Sequence, residues 1–313
     1  MILTHSATMN FKSLLKQVNY STVVLLSLIN ISQVNAQTSA PTSTPPQVIL
    51  YVNPQLGTDG TTTGKSEATP YRSISYALTQ ATPGSIIQLA SGRYYSETFP
   101  LIIKSGVILK GNENTQGQGV EIIGGDSYMS RTFAKQNVTL VAQDNSQIAG
   151  ITVTNPNVRG TGVWVEFGQP IIRNNNFINS KREGIFVTGK AAPTIENNRF
   201  FRNDANGVSV TSEAKGEIRN NIFDNTGFGV AIGGKSTPLL SDNQIRGNRN
   251  GIVLTDSSHP KLFSNLIENN SDYGLVIIGQ SEPSLDRNTF KDNKKQDQFR
   301  VIPTLQPEAP IEQ

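Results

Sequence analysis

The chain has 313 residues, with 27 Lys and Arg against 24 Asp and Glu, two His and no Cys. The absence of Cys excludes disulfides, a lipoprotein anchor and thiolate–metal chemistry. Two of the cations, Lys12 and Lys16, lie in a segment that reads as removable; without them 25 cations face 24 acids, and the basic balance gives no argument for nucleic acid.

At the N-terminus, Lys12 and Lys16 precede an apolar run from Val23 to Ile31, and Val34-Asn35-Ala36 then supplies small side chains. This order predicts a secretory signal peptide over 1–36, its apolar run too short to span a bilayer. The expected location is periplasmic or extracellular, with a soluble chain and no membrane insertion after signal cleavage. Residues 37–47, rich in Ser, Thr and Pro, predict a flexible leader. A folded domain is expected over 48–293, beginning with a cap over 48–100. Within the cap, Ile74, Ala77, Leu78 and Ala81 share one helical face, so Ser73 to Ala81 predicts a short helix closing the N-terminal end. Val107 with Leu109, Val138 with Leu140, and Ile148, Ile151 and Val153 read as early, weak coils. Residues 111–135, Gly-rich and polar, read as a long loop leaving the surface.

From Gly162 to Asn293 the chain repeats one pattern six times at a period of 22 or 23 residues. Each copy opens with Gly and two apolar residues two apart, as in Gly162-Val163-Trp164-Val165 and Gly184-Ile185-Phe186-Val187. Spacing of two is the period of a strand, and a fixed short period marks a solenoid. The expected fold is all-β: a right-handed, single-stranded parallel β-helix of 22–23-residue coils with a short N-terminal capping helix. A column of Asn175, Asn198, Asn221, Asn243, Asn265 and Asn288 falls where each coil must turn. Asn tolerates left-handed backbone, and stacked amides bond along a column, so these six read as a structural ladder. The opening glycines read as turn residues. Residues 294–313 lose the period and collect prolines; they read as a tail in which Phe299, Val301 and Ile302 fold back on the last coil.

Tyr51-Val52-Asn53, Thr69-Pro70-Tyr71-Arg72-Ser73-Ile74, Ile87-Gln88-Leu89-Ala90-Ser91-Gly92-Arg93-Tyr94-Tyr95, Phe99-Pro100-Leu101, Leu109-Lys110-Gly111 and Gly124-Gly125 form a recognisable set. The set resembles a bacterial secreted domain-of-unknown-function family, number 1565, within the pectate-lyase-like β-helix superfamily, over roughly 48–293. The resemblance implies the fold and secretion, and no established activity. The wider superfamily contains polysaccharide lyases, hydrolases and epimerases as well as binding proteins, a choice that fold alone does not make.

The Asn-Thr-Asp, Asp-Asp and His-Gly motifs of polygalacturonase-type hydrolases and the Asp-Pro-His-Asp of mannuronan epimerases do not occur. His259, the one His after the signal, reads as an exposed turn residue. No metal or other cofactor is expected, although Asp126 and Asp144 are the acids a Ca2+ ion would use if the long loop folded over. The outward row of the first strand in each coil, where β-helix lyases keep their cleft, runs through Trp164 and Glu166, then Phe186 and Thr188. Two stacked aromatics with a carboxylate and a hydroxyl beside them suit the apolar face of a sugar ring. The alternative is that the 111–135 loop or the leader covers them. The expected function is therefore binding of a polysaccharide or cell-surface glycan without catalysis by Trp164, Glu166, Phe186 and Thr188. An atypical polysaccharide lyase or epimerase, or an adhesion module working through Val253, Val276 and Ile278, are the other readings.

Overall fold

The structure, a computed structural model, describes residues 47–301, so the predicted signal, the predicted leader up to 46 and the end of the tail from Ile302 lie outside the described residues. Three parallel sheets of ten, nine and ten strands wrap around one core. Successive coils stack strand on strand: Ile171–Arg173 lies under Thr194–Glu196 in the first sheet, Asn176–Ile178 under Arg199–Phe201 in the second, and Val163–Val165 beside Ile185–Val187 in the third. This is the parallel β-helix that the period predicts.

Inward positions explain why each short strand stays put. Val163, Val165, Ile172 and Phe177 are fully buried, and the same positions one coil on are Ile185, Val187, Ile195 and Phe200. Phe177, Phe200 and Phe223 form a continuous stack, with ring centroids 5.1 and 4.7 Å apart.

The Asn column is a hydrogen-bonded ladder. Asn175 donates from its backbone N–H and from Nδ2 to Oδ1 of Asn198, at 3.0 Å each, and the pattern runs on through Asn221, Asn243, Asn265 and Asn288. The left-handed residue is not the ladder Asn but the one before it: Asn174, Asn197, Asn220, Asp242, Ser264 and Arg287 have φ of 53–55°. The tight bend comes first, and it aims the next side chain along the stack.

A second column, unforeseen in the sequence, repeats this device five residues later. Asn179, Arg202, Asn225, Gly247, Asn269 and Asp292 take positive φ. The residues that follow them, from Ser180 and Asn203 to Asn248, Asn270 and Asn293, bond from coil to coil, as in Asn270 Nδ2 to Asn293 Oδ1 at 2.8 Å. The opening glycines are also not turn residues, since none has a positive φ. They lie in strands where a Cβ would collide; at Gly184 it would stand 2.6 Å from Phe200 Cδ1 and 2.8 Å from the Gly207 carbonyl.

At the N-terminal end, helix α1 (Ile74–Gln80) buries Ile74, Ala77 and Leu78 against the first coils. Ser73 caps it, and Glu97 accepts from the N–H groups of Ile74 and Ser75 at 3.0 and 2.8 Å, placing a carboxylate at the helix N-terminus. At the other end Gln296–Val301 adds a strand beside Tyr273–Ile278, and Phe299 stacks on Tyr273 at 4.9 Å. The coil stack therefore runs past residue 293. The stretch 111–135 is not one loop either. Val120–Ile123 is a strand of the second sheet, and Asp126–Ser130 pairs antiparallel with Ala134–Val138.

Candidate functional site

Alternation along the third sheet sends one set of side chains into the core and the other onto its outer face. Trp164 and Phe186 lie on that face, one coil apart, with rings 4.3 Å apart and 2° from parallel. They are not open to solvent: Trp164 is 0% exposed. The hairpin of Asp126–Ser130 and Ala134–Val138 folds over them, and Phe133 packs edge-on against both rings at 6.2 and 5.1 Å. Val138 and Val141 complete this apolar cluster, with Tyr128 against it. The open platform expected of Trp164 and Phe186 is thus corrected to a covered aromatic pair, the covering segment coming from within 111–135.

Glu166 and Thr188 are enclosed as well. The Glu166 carboxylate accepts from the Tyr128 hydroxyl at 2.9 Å, from the Thr132 hydroxyl at 3.0 Å and backbone N–H at 3.3 Å, and from the Ser130 hydroxyl. Thr188 is fully buried and shares a hydrogen bond with Ser212 at 3.0 Å. Glu166 is not free to bond a ligand while the hairpin is down, and Thr188 is engaged by Ser212. Tyr128, Ser130, Thr132 and Phe133 are site residues that sequence reasoning missed. Their signal was two short runs separated by a polar turn, Ser130-Arg131-Thr132-Phe133, which fits a hairpin.

The electrostatics of the two carboxylates on this face differ in sign. Burial pushes Glu166 upward, but the hydrogen bonds from Ser130, Tyr128 and Thr132 outweigh it and hold the group below its ordinary value. The Trp164 indole adds to that effect, although its Nε1 meets no hydrogen-bond geometry. Tyr128 is pushed up to about 12 by burial and by the hydrogen bond to Glu166. Glu183 is raised, because burial outweighs Arg182 Nε at 2.9 Å and the Thr161 hydroxyl at 2.9 Å. Arg182 also reaches the hairpin through Gln136 Oε1 at 2.9 Å. Divergent carboxylates resemble an acid–base pair, yet Glu183 sits beside Thr161, five residues before Glu166 along the strand. At strand rise that is roughly 16 Å, beyond the ~5–10 Å across which paired carboxylates cleave a glycosidic bond.

Past the hairpin no strand or helix of the described residues packs onto the face. Its rows there are Ser209, Ala231, Val253 and Val276; Thr211, Gly233, Thr255 and Ile278; and Asn206, Phe228, Asn250 and Tyr273. None of these twelve carries a charge. Val253 and Val276, each 7% exposed, form a shallow floor, while Ile278 is 38% exposed. Charges border the strip: Asp272 bonds Lys295 at 2.8 Å and Arg249 at 3.3 Å, the Lys295 hydrogen bond first among the causes that hold Asp272 below its ordinary value. Among the described residues no three of His, Asp and Glu converge as around a metal ion. Asp126 bonds the Ser127 N–H and Asp144 the Gln169 N–H, in separate places. His259 is exposed, 3.9 Å from Glu282.

Several solved structures are similar to this chain. Pectate lyase Pel9A matches over 80% of this chain and 74% of its own, at 15% identity and a TM-score of 0.52. GH136 lacto-N-biosidase from Eubacterium ramulus matches over 81% and 66%, at 11% identity and a TM-score of 0.49. Pectin methylesterase from Aspergillus niger matches over 83% and 92%, at 16% identity and a TM-score of 0.42. A comparison with curated proteins finds no match. The likeness to Pel9A, at 15% identity, speaks for the parallel β-helix alone. The family model described as a protein of unknown function, DUF1565, matches residues 56–304, and the chain belongs to that family.

Proposed function

We propose that this protein is an exported, non-catalytic binder of an extended polysaccharide, which lies across the coils of the third sheet between Asn206 and Ile278. The observation that carries the reading is the character of that strip: shallow, periodic and without a charged side chain in its rows. Coils repeat every ~4.8 Å, close to the length of one pyranose in an extended chain, so each sugar meets an equivalent set of groups. The small floor of Ser209, Ala231, Val253 and Val276 admits a ring face, and Thr211 and Thr255 offer hydroxyls beside it. Phe228 and Tyr273, both half-buried, add aromatic edges. Pectate lyase Pel9A, of similar fold, is by name a lyase of pectate, which is consistent with a sugar polymer as ligand. Elimination from a uronic acid needs a base beside the ring; the twelve row side chains carry no charge, and the carboxylate beside them, Asp256, is engaged by the Thr255 hydroxyl at 3.2 Å and the Gly234 N–H at 2.7 Å. The adhesion reading through Val253, Val276 and Ile278 is weaker, because two of the three are almost covered.

The test is a glycan array with the exported protein, paired with an ultraviolet assay for unsaturated sugar product. Binding without product, lost in Thr255→Arg with the fold intact, is the expected result. Product formation would replace this reading by the lyase, and binding untouched by Thr255→Arg would move the site elsewhere. Mass spectrometry of the same sample is expected to find Gln37 as the first residue; a retained N-terminus would refute export by signal cleavage.

A further inference from the structure

The hairpin over Trp164 grows out of the third sheet at one end of the strip: its second arm runs on as the strand Ala134–Ala142, paired at Asn137 and Val138 with Gly160 and Thr161. It joins the coils through Gly124, whose φ is 131°, and Gly125. Its tip is exposed, with Met129 69% and Phe133 39% accessible. Near the tip it is held by Glu166, to which Tyr128, Ser130 and Thr132 all donate, and by Phe133 on the two rings; at its base it is held by Arg182, which donates to Gln136 Oε1 at 2.9 Å. Beneath the hairpin lie two parallel aromatic rings and one buried N–H, Trp164 Nε1, which helps to hold Glu166 below its ordinary value without reaching hydrogen-bond geometry. A buried N–H held short of that geometry is a cost of the closed arrangement. A stacking platform, a donor short of hydrogen-bond geometry and a carboxylate that hairpin hydroxyls occupy are together what a saccharide ring requires.

We propose that residues 126–136 are a flap, latched by Glu166, over a covered saccharide subsite formed by Trp164, Phe186 and Glu166 at the end of the open strip. The ligand in this statement rests on the polysaccharide reading; the flap does not. In the closed state the Tyr128, Ser130 and Thr132 hydroxyls stand in for sugar hydroxyls on Glu166, and Phe133 stands in for the ring face on Trp164 and Phe186. A polymer extending along the strip displaces them group for group.

The groups facing Glu166 are Tyr128, Ser130 and Thr132 from the hairpin and Trp164 from the sheet; Arg131, the nearby cation, stands over Phe167 at 5.9 Å. The latch depends on the ionised carboxylate, which the closed state holds below its ordinary value. Its contribution is therefore present above the ordinary carboxylate value and is lost as pH falls through the lowered one.

Trp164 is the one Trp in the chain, so its emission reports the flap directly. Iodide and acrylamide quenching are measured on the exported protein and on Glu166→Gln, with circular dichroism to follow the fold. Weak quenching is expected in the wild type at neutral pH. In Glu166→Gln the open fraction is expected to rise about tenfold or more, the factor that hydrogen bonds to a charged group sustain, and acid should raise it in the wild type. Quenching that stays weak in a folded Glu166→Gln would overturn the flap. If that variant does not fold, the double variant Ser130→Ala with Thr132→Val decides, together with hydrogen exchange over 126–130. Exchange as slow as in the core strands would overturn the proposal. With the flap open, a pool of soluble β-linked oligosaccharides should shield Trp164 again. If these bind the strip yet leave Trp164 unshielded, the subsite falls and the flap stands. If they bind nowhere, the polysaccharide reading falls independently.

Discussion

Replacing Asn221 by Leu tests the ladder with almost no change in side-chain shape. Asn221 Oδ1 accepts from the Asn198 backbone N–H at 2.9 Å and from Asn198 Nδ2 at 3.1 Å; its own Nδ2 donates to the Ile195 carbonyl at 2.9 Å and to Asn243 Oδ1 at 3.0 Å. Two of these partners keep a second bond, because Asn198 Nδ2 still reaches the Ile172 carbonyl and Asn243 Oδ1 still accepts the residue-221 N–H. The Asn198 N–H is the group left bare, at roughly 1–3 kcal/mol when buried, while the Ile195 carbonyl keeps its strand pairing; the three other hydrogen bonds lost cost about 0.5–1.5 kcal/mol each. Burial of the Leu side chain offsets about 1.5–3 kcal/mol, so a net loss of about 1–3 kcal/mol is expected. The control is Asn250→Leu, which removes one contact, from the Tyr273 N–H at 3.2 Å, and should cost less than about 1 kcal/mol. Urea unfolding followed by circular dichroism measures both. Coincident midpoints for the two variants would refute the reasoning, since they would mean that the amide column holds nothing.

Gly207→Ala should destabilise by about 1–3 kcal/mol through overpacking, because its Cβ would lie 2.4 Å from Phe223 Cδ1 and 2.7 Å from the Gly229 carbonyl. Gly60→Ala, whose nearest neighbour is 3.9 Å away, is the control, and equal thermal midpoints would contradict the packing account. The raised Glu183 gives a pH dependence opposite in sign to that of Glu166. The folded state binds its proton more tightly than the unfolded chain, so Glu183 favours folding in acid and loses that contribution as pH rises from the ordinary carboxylate value through the raised one. Glu183→Gln should therefore flatten the fall in stability over that range; an unchanged pH profile would show that Glu183 ionises freely in the fold.

The fold was legible because it is local and repeated. Six copies of Gly, apolar, variable, apolar made the strand period and the coil length plain, and the Asn column stood at a constant offset in each. What failed was the assignment of geometry within the coil. Asn was credited with the left-handed backbone that belongs to Asn174, Asn197 or Arg287, because a bend and the side chain that locks it are adjacent and one residue type suits both. The second column escaped because Ser180 and Thr226 interrupt its Asn run. At the site, the outward parity of Trp164 and Phe186 was readable, since alternation is intrinsic to a strand. Their burial was not, because it depends on a hairpin earlier in the chain, Asp126 to Val138, whose contacts with Glu166 and the two rings leave no periodic trace.

Each ladder amide reaches one coil ahead and no further: Asn198 finds Asn221, and Asn221 finds Asn243. Every unit thus presents the same socket to the unit above and the same plug to the unit below. Deleting one whole period, such as residues 207–228, would set Asn198 against Asn243 and Phe200 against Ile245, residues of the same types that the sockets already accept. Cutting at any other length would misalign both amide columns at once. The molecule can therefore lengthen or shorten only in whole steps, and its third sheet becomes a ruler graduated in coils, whose reach is set by the number of repeats in the chain.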